Sequence, residues 1–135
     1  MQRPLSVELL VLCASVVLGL AHIVAASQSA SFQRGYRWTA SARDSELAPL
    51  RGVAGRLARA LNNFTETFPY FAALALAVEV TGRHSNLSEW GAVAYLVGRV
   101  LYLPLYASGI PLVRSLAWNV ATIGIIAVLV ALLRG

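Results

Sequence analysis

Arg59-Ala60-Leu61-Asn62-Asn63-Phe64-Thr65-Glu66-Thr67-Phe68-Pro69 is the stretch on which the fold turns. It carries an arginine, an amide and a carboxylate into the start of a long apolar run that continues from Tyr70 to Val80. Arg59, Asn63 and Glu66 are spaced i, i+4, i+7, so a helix places them on one face over about two turns. An ionisable group inside a lipid-crossing helix costs about 2.5–3.5 kcal/mol, so such groups face a bundle interior and mark a site.

Working outward, four hydrophobic stretches emerge: Leu5–Ala26, Leu57–Thr81, Leu87–Ser108 and Leu112–Leu133. Each has roughly the 20 residues that a helix needs to cross a bilayer core. Little lies between them that builds a soluble domain, and the short alternating segments of a membrane barrel are missing. The sequence predicts an all-α protein: one domain over residues 1–135, a four-helix transmembrane bundle of the multi-pass, integral membrane class. The first stretch also has the look of a signal peptide, with Arg3 before the apolar run and Ala25-Ala26-Ser27 as a cleavage-like site. Its length favours a retained helix. Pro4 suits the first turn of that helix.

All 11 basic residues are arginine, and the formal net charge is +5. Their placement argues for topology, not for a nucleic-acid footprint. Arg34, Arg37, Arg43, Arg51 and Arg56 crowd the loop from Ser27 to Arg56, and Arg114 lies on the same side. Arg3, Arg83 and Arg134 lie on the other. The positive-inside rule then puts the first and third loops in the cytoplasm and both termini outside, in the periplasm or exterior. Tyr36 and Trp38 place part of the long loop at the headgroup surface. Cys13, the single cysteine, excludes an internal disulfide and lacks the cationic neighbours that make a thiol reactive. His22 has no metal partners in the pattern, so no metal site is expected.

The polar residues of three spans meet at one leaflet. Arg59, Asn63 and Glu66 lie in the cytoplasmic third of the second span. Arg99, Tyr102 and Tyr106 share a face near the same end of the third. Arg114 falls in the first turn of the fourth, where the helix dipole favours an anion nearby. The far leaflet receives Glu8, Glu79, Arg83, His84 and Glu89, which read as interface residues. Each candidate has a plainer reading beside it. Arg59 and Glu66 form either a ligand site or a structural ion pair. Arg114 either holds an anion or snorkels to headgroups. Tyr102 and Tyr106 either line a pocket or belong to an aromatic belt. Arg99 is read as structural, with a carboxylate such as Glu66 as its partner.

Arg59-Ala60-x-x-Asn63-x-x-Glu66-x-x-Pro69 resembles the second-helix signature of the MAPEG family, the membrane-associated proteins in eicosanoid and glutathione metabolism. Arg99-x-x-Tyr102-x-x-x-Tyr106, followed by Arg114, is the second match. The resemblance spans essentially the whole chain and points to a bacterial branch. It implies a homotrimer that holds glutathione between neighbouring subunits, near the cytoplasmic side. It implies Arg59, Asn63, Glu66, Tyr102 and Tyr106 as glutathione-binding residues, and Arg114 as the catalytic arginine that activates the thiol. A loop-one arginine, Arg34 or Arg37, would join them. The tyrosine that follows the motif glutamate in some members is Thr67 here.

Such a protein would be a membrane transferase or peroxidase acting on a lipophilic small molecule dissolved among the membrane lipids. The competing reading is a non-catalytic lipid-binding or scaffold protein of the same fold. A transporter would place its polar groups along a path near mid-bilayer, and their gathering at one leaflet argues against it.

Overall fold

The computed structural model describes residues 4–134 and shows an all-helical chain, with no strand among the described residues. Four long helices, α1 (Val7–Arg34), α3 (Gly52–Thr81), α4 (Asn86–Ser108) and α5 (Pro111–Arg134), pack side by side. A single helical turn, α2 (Tyr36–Thr39), lies in the first loop. Arg3, on which the signal-peptide and topology readings draw, falls outside the described residues. Three of the helices, α1, α4 and α5, are long and apolar enough to cross a membrane. The fourth, α3, does not meet that measure, because its first half carries Arg56, Arg59, Asn62, Asn63 and Glu66.

Several boundaries depart from the sequence reading. The first helix starts at Val7, with Ser6 as its N-cap accepting from the Leu9 N–H at 3.2 Å, so Pro4 precedes the helix. It then runs past Ala26 to Arg34. Polarity ends the apolar span there but not the helix, since Ser27–Arg34 contains no proline or glycine. Gly35 stops it, at a φ of 90°. Pro69 and Pro104 lie inside α3 and α4, as expected.

Narrow stripes of small residues set the packing. On α1 the buried face is Glu8, Val11, Ser15, Gly19, His22 and Ala26, and on α5 it is Ala117, Ala121, Gly124, Val128 and Ala131. Both advance in three- and four-residue steps, the seam of one helix lying against another. The tightest approach is between α4 and α5. A Cβ on Gly98 would lie 2.7 Å from the Ala117 carbonyl, and one on Gly124 would lie 2.6 Å from the Tyr95 backbone N. Backbones this close are how membrane helices gain contact without large side chains. On α3 the packed alanines are Ala54, Ala60 and Ala75, whereas Ala73 is exposed. Phe71 stacks on Tyr95 at 4.1 Å between centroids and ties α3 to α4, an arrangement worth about 0.5–1.5 kcal/mol beyond burial. The outer surfaces of α1 and α5 are covered by exposed Leu, Val and Ile, as a lipid-facing wall requires.

Candidate functional site

The two ends of the bundle carry different polar clusters. At the first, the α4–α5 turn brings Arg114 back over Tyr106. Its guanidinium carbon lies 4.6 Å from the ring centroid. From α3, Arg59 Nε donates to the Tyr106 hydroxyl at 3.2 Å. Tyr102, one turn earlier on α4, sets its ring 5.3 Å from that of Tyr106. Arg56 fixes the α3 start to the α4 end by donating from Nε to the Ala107 carbonyl at 2.8 Å.

Between these groups opens a cavity of about 250 Å³, lined by Asn63, Tyr102, Tyr106, Arg114, Ser115 and Trp118. Four sequence-predicted residues, Asn63, Tyr102, Tyr106 and Arg114, therefore share one cavity, and Arg59 joins through Tyr106. Arg114 makes no hydrogen bond or ion pair with the described residues. The cavity is open, half lined by hydroxyl, amide and guanidinium groups, and no carboxylate lines it. It suits an anion.

Glu66 is not brought in. It is exposed on the outer side of α3 and makes no ion pair with Arg59 or Arg99. The expected carboxylate partner of Arg99 is replaced by neutral oxygens. Arg99, at 0 % exposure, donates to the Asn63 Oδ1 at 2.7 Å and to the Thr67 hydroxyl. Its guanidinium lies 5.5 Å from the Tyr102 ring centroid and 5.8 Å from that of Tyr95. The reason is angular. Asn63 and Thr67 are a full i, i+4 pair facing α4, whereas Glu66 is rotated about 100° from Thr67 and stays exposed, beyond ion-pair distance of Arg99.

Two residues were missed. Trp118 follows Arg114 by four positions, a spacing that would have put it on the same face. Thr67 carried no signal beyond its place one turn after Asn63.

At the opposite end, the sequence reading of interface residues is corrected. Glu8 is fully buried. One of its oxygens accepts from the Ser88 hydroxyl and the other faces His84 Nδ1 at 3.1 Å. Ser85 and Ser88 form a capping box that starts α4. Glu79, across the ring at 3.8 Å from His84 Nε2, accepts from the Ser6 hydroxyl at 2.6 Å. This cluster joins α1, α3 and α4 and encloses no cavity residue of the first end.

The MAPEG family model matches residues 11–134, nearly the whole chain, and the chain belongs to that family. No curated protein and no solved structure matches it.

Proposed function

We propose that this chain is a glutathione-dependent membrane transferase or peroxidase that activates the glutathione thiolate for attack on a lipophilic electrophile. The observation that carries this reading is the pair of guanidiniums, Arg59 and Arg114, converging on Tyr106 over an open cavity without a carboxylate. A free thiol with a pKa near 8.5 is only a few per cent ionised at neutral pH. A cation within about 4–6 Å lowers such a pKa by roughly 1–3 units. In this reading Arg114 is the catalytic residue that holds the sulfur as thiolate. Arg59, Asn63, Tyr102 and Tyr106 hold the tripeptide, whose carboxylates suit guanidinium forks. The thiolate forms a C–S bond with the electrophilic carbon as the leaving group departs, or attacks one oxygen of a peroxide and breaks the O–O bond.

The same reading makes the protein a homotrimer of four-span subunits in a bacterial inner membrane, with both termini periplasmic. The support is physical. Asn62, Thr65 and Glu66 are exposed on α3, beside helices apolar enough for lipid. Uncovered, they would meet hydrocarbon at a cost of several kcal/mol. A second copy would cover them and bring Glu66 to a neighbour's cavity, where it would accept from the glutathione ammonium.

The test is thiolate absorbance of the purified protein, titrated against pH at saturating glutathione. The wild type is expected to hold thiolate at neutral pH. Arg114→Ala is expected to lose it while glutathione binding weakens modestly. An unchanged thiol titration in Arg114→Ala would remove that residue from its role. No glutathione binding at millimolar concentration would end the enzyme reading and leave the lipid-binding scaffold.

A further inference from the structure

A second cationic site lies on the outer flank of the same end. The 28-residue α1 rises about 1.5 Å per residue, roughly 42 Å in all, which spans a bilayer including its headgroups. Its last turn, at Arg34, therefore reaches headgroup depth. Two adjoining cavities open there, of about 590 and 400 Å³, and share Gln33 and Arg51. The larger is mostly apolar, walled by Phe32, Val53 and Ala54; the smaller is closed by Arg34 and the Leu47–Pro49 segment. Neither shares a lining residue with the Arg114 cavity.

The charges are unbalanced. Arg34 Nε is shut from solvent with no acceptor. Among the described residues the Arg51 side chain makes no hydrogen bond, and its backbone N–H donates to Gln33 Oε1 at 3.1 Å. Asp44 and Glu46 lie in the same loop, yet no ion pair joins them to an arginine among the described residues. The loop is held in place all the same. Trp38 lies 5.1 Å under the Arg34 guanidinium and donates from Nε1 to the Ser45 hydroxyl at 3.0 Å. Phe32, 85 % exposed, stands beside the opening.

We infer that this is a binding site for an anionic phospholipid. The phosphodiester sits between Arg34 and Arg51 in the smaller cavity, and the first part of an acyl chain lies over Phe32 and Val53 in the larger. Guanidinium forks match phosphate oxygens bidentately, and basic pockets beside membrane helices select anionic headgroups. A cavity with a cationic rim, an apolar wall and a place at headgroup depth fits an amphiphile better than a water-soluble anion.

The experiment is native mass spectrometry of the full chain released from nanodiscs that contain equal amounts of dioleoylphosphatidylglycerol and dioleoylphosphatidylcholine. The wild type is expected to retain phosphatidylglycerol preferentially. Arg34→Gln with Arg51→Gln is expected to reduce that preference by up to about thirtyfold. Arg83→Gln with Arg134→Gln, at the other end, is expected to leave it in place. If the Arg34/Arg51 double variant does not fold, Arg51→Gln alone carries the test, because that side chain makes no hydrogen bond or ion pair among the described residues. Equal retention of the two lipids, or a preference that survives loss of Arg51, would overturn the site. Displacement of the lipid by millimolar glutathione would also overturn it and give these arginines to the tripeptide. Glutathione binding in the Arg114 cavity is read separately, so either proposal stands or falls without the other.

Discussion

The two ends of the bundle use polar residues in opposite ways. At the Glu8 end, two carboxylates, a histidine and three serines satisfy one another and close the gap between α1, α3 and α4. At the Arg114 end, cations from two helices meet around Tyr106 with no carboxylate in the cavity, and the space between them stays open. The sequence marked the Arg114 end as the place where polar groups of three spans converge, and read the Glu8 end as interface residues alone. The difference is one of saturation. A saturated cluster stabilises the fold and has nothing left to bind with. An unsaturated one contributes little to the fold and is available to a ligand.

Arg99 tests this contrast most severely, because it is charged and buried and is held through both terminal nitrogens by Asn63 and Thr67, with only its Nε left without an acceptor among the described residues. If saturation marks structure, Arg99→Ala should be the most damaging single change. It empties a fully buried volume and strands two acceptors, with an expected loss of about 3–5 kcal/mol. Thermal unfolding in detergent, followed by helical circular dichroism, measures this. A melting temperature equal to that of the wild type would break the comparison. The Glu8 cluster should come next. Glu8→Ala leaves the Ser88 hydroxyl and the His84 ring without their buried acceptor, for about 1–3 kcal/mol. His84 is partly exposed and can turn to water, so the loss is smaller than for Arg99. Glu8→Gln should recover part of it, since an amide oxygen still accepts from Ser88. A Glu8→Ala protein as stable as the wild type would return this end to an ordinary interface.

What the sequence made legible follows its periodicities. Apolar length marked the four long helices, and i, i+3, i+4 spacing gathered Asn63, Tyr102 and Tyr106 toward one cavity. Polarity misled at the end of α1, because a helix leaving a membrane keeps its backbone ladder until a residue such as Gly35 breaks it. At Glu66 spacing is only part of the account: it lies about 20° from Arg59 around α3, yet its carboxylate is exposed and beyond ion-pair distance of Arg59 and Arg99 within one subunit. The Glu8 cluster had no signal at all. Its partners lie 76 and 80 residues away, and a pairing that distant leaves no local pattern.

The smallest expected effect on stability is the one that separates the ends most sharply. Arg114 is prominent in sequence, close to Tyr106 and central to the proposed chemistry, yet it makes no hydrogen bond or ion pair among the described residues. Its contact with Tyr106 is a cation–π approach at a half-exposed place, worth about 0.5–1 kcal/mol. Removing a cation from the first turn of α5 also relieves an unfavourable interaction with the helix dipole, of about 0.3–1 kcal/mol. The two terms have opposite signs and similar size. Arg114→Ala should therefore melt within about 0.5 kcal/mol of the wild type while losing thiolate absorbance, a change in function without a change in fold. Arg59→Ala should behave alike in stability, since its hydrogen bond to Tyr106 is exposed and the tyrosine hydroxyl can turn to water. If Arg114→Ala instead unfolds as readily as Glu8→Ala, Arg114 is a structural residue, and the Arg114 end of the bundle is held together in the same way as the Glu8 end.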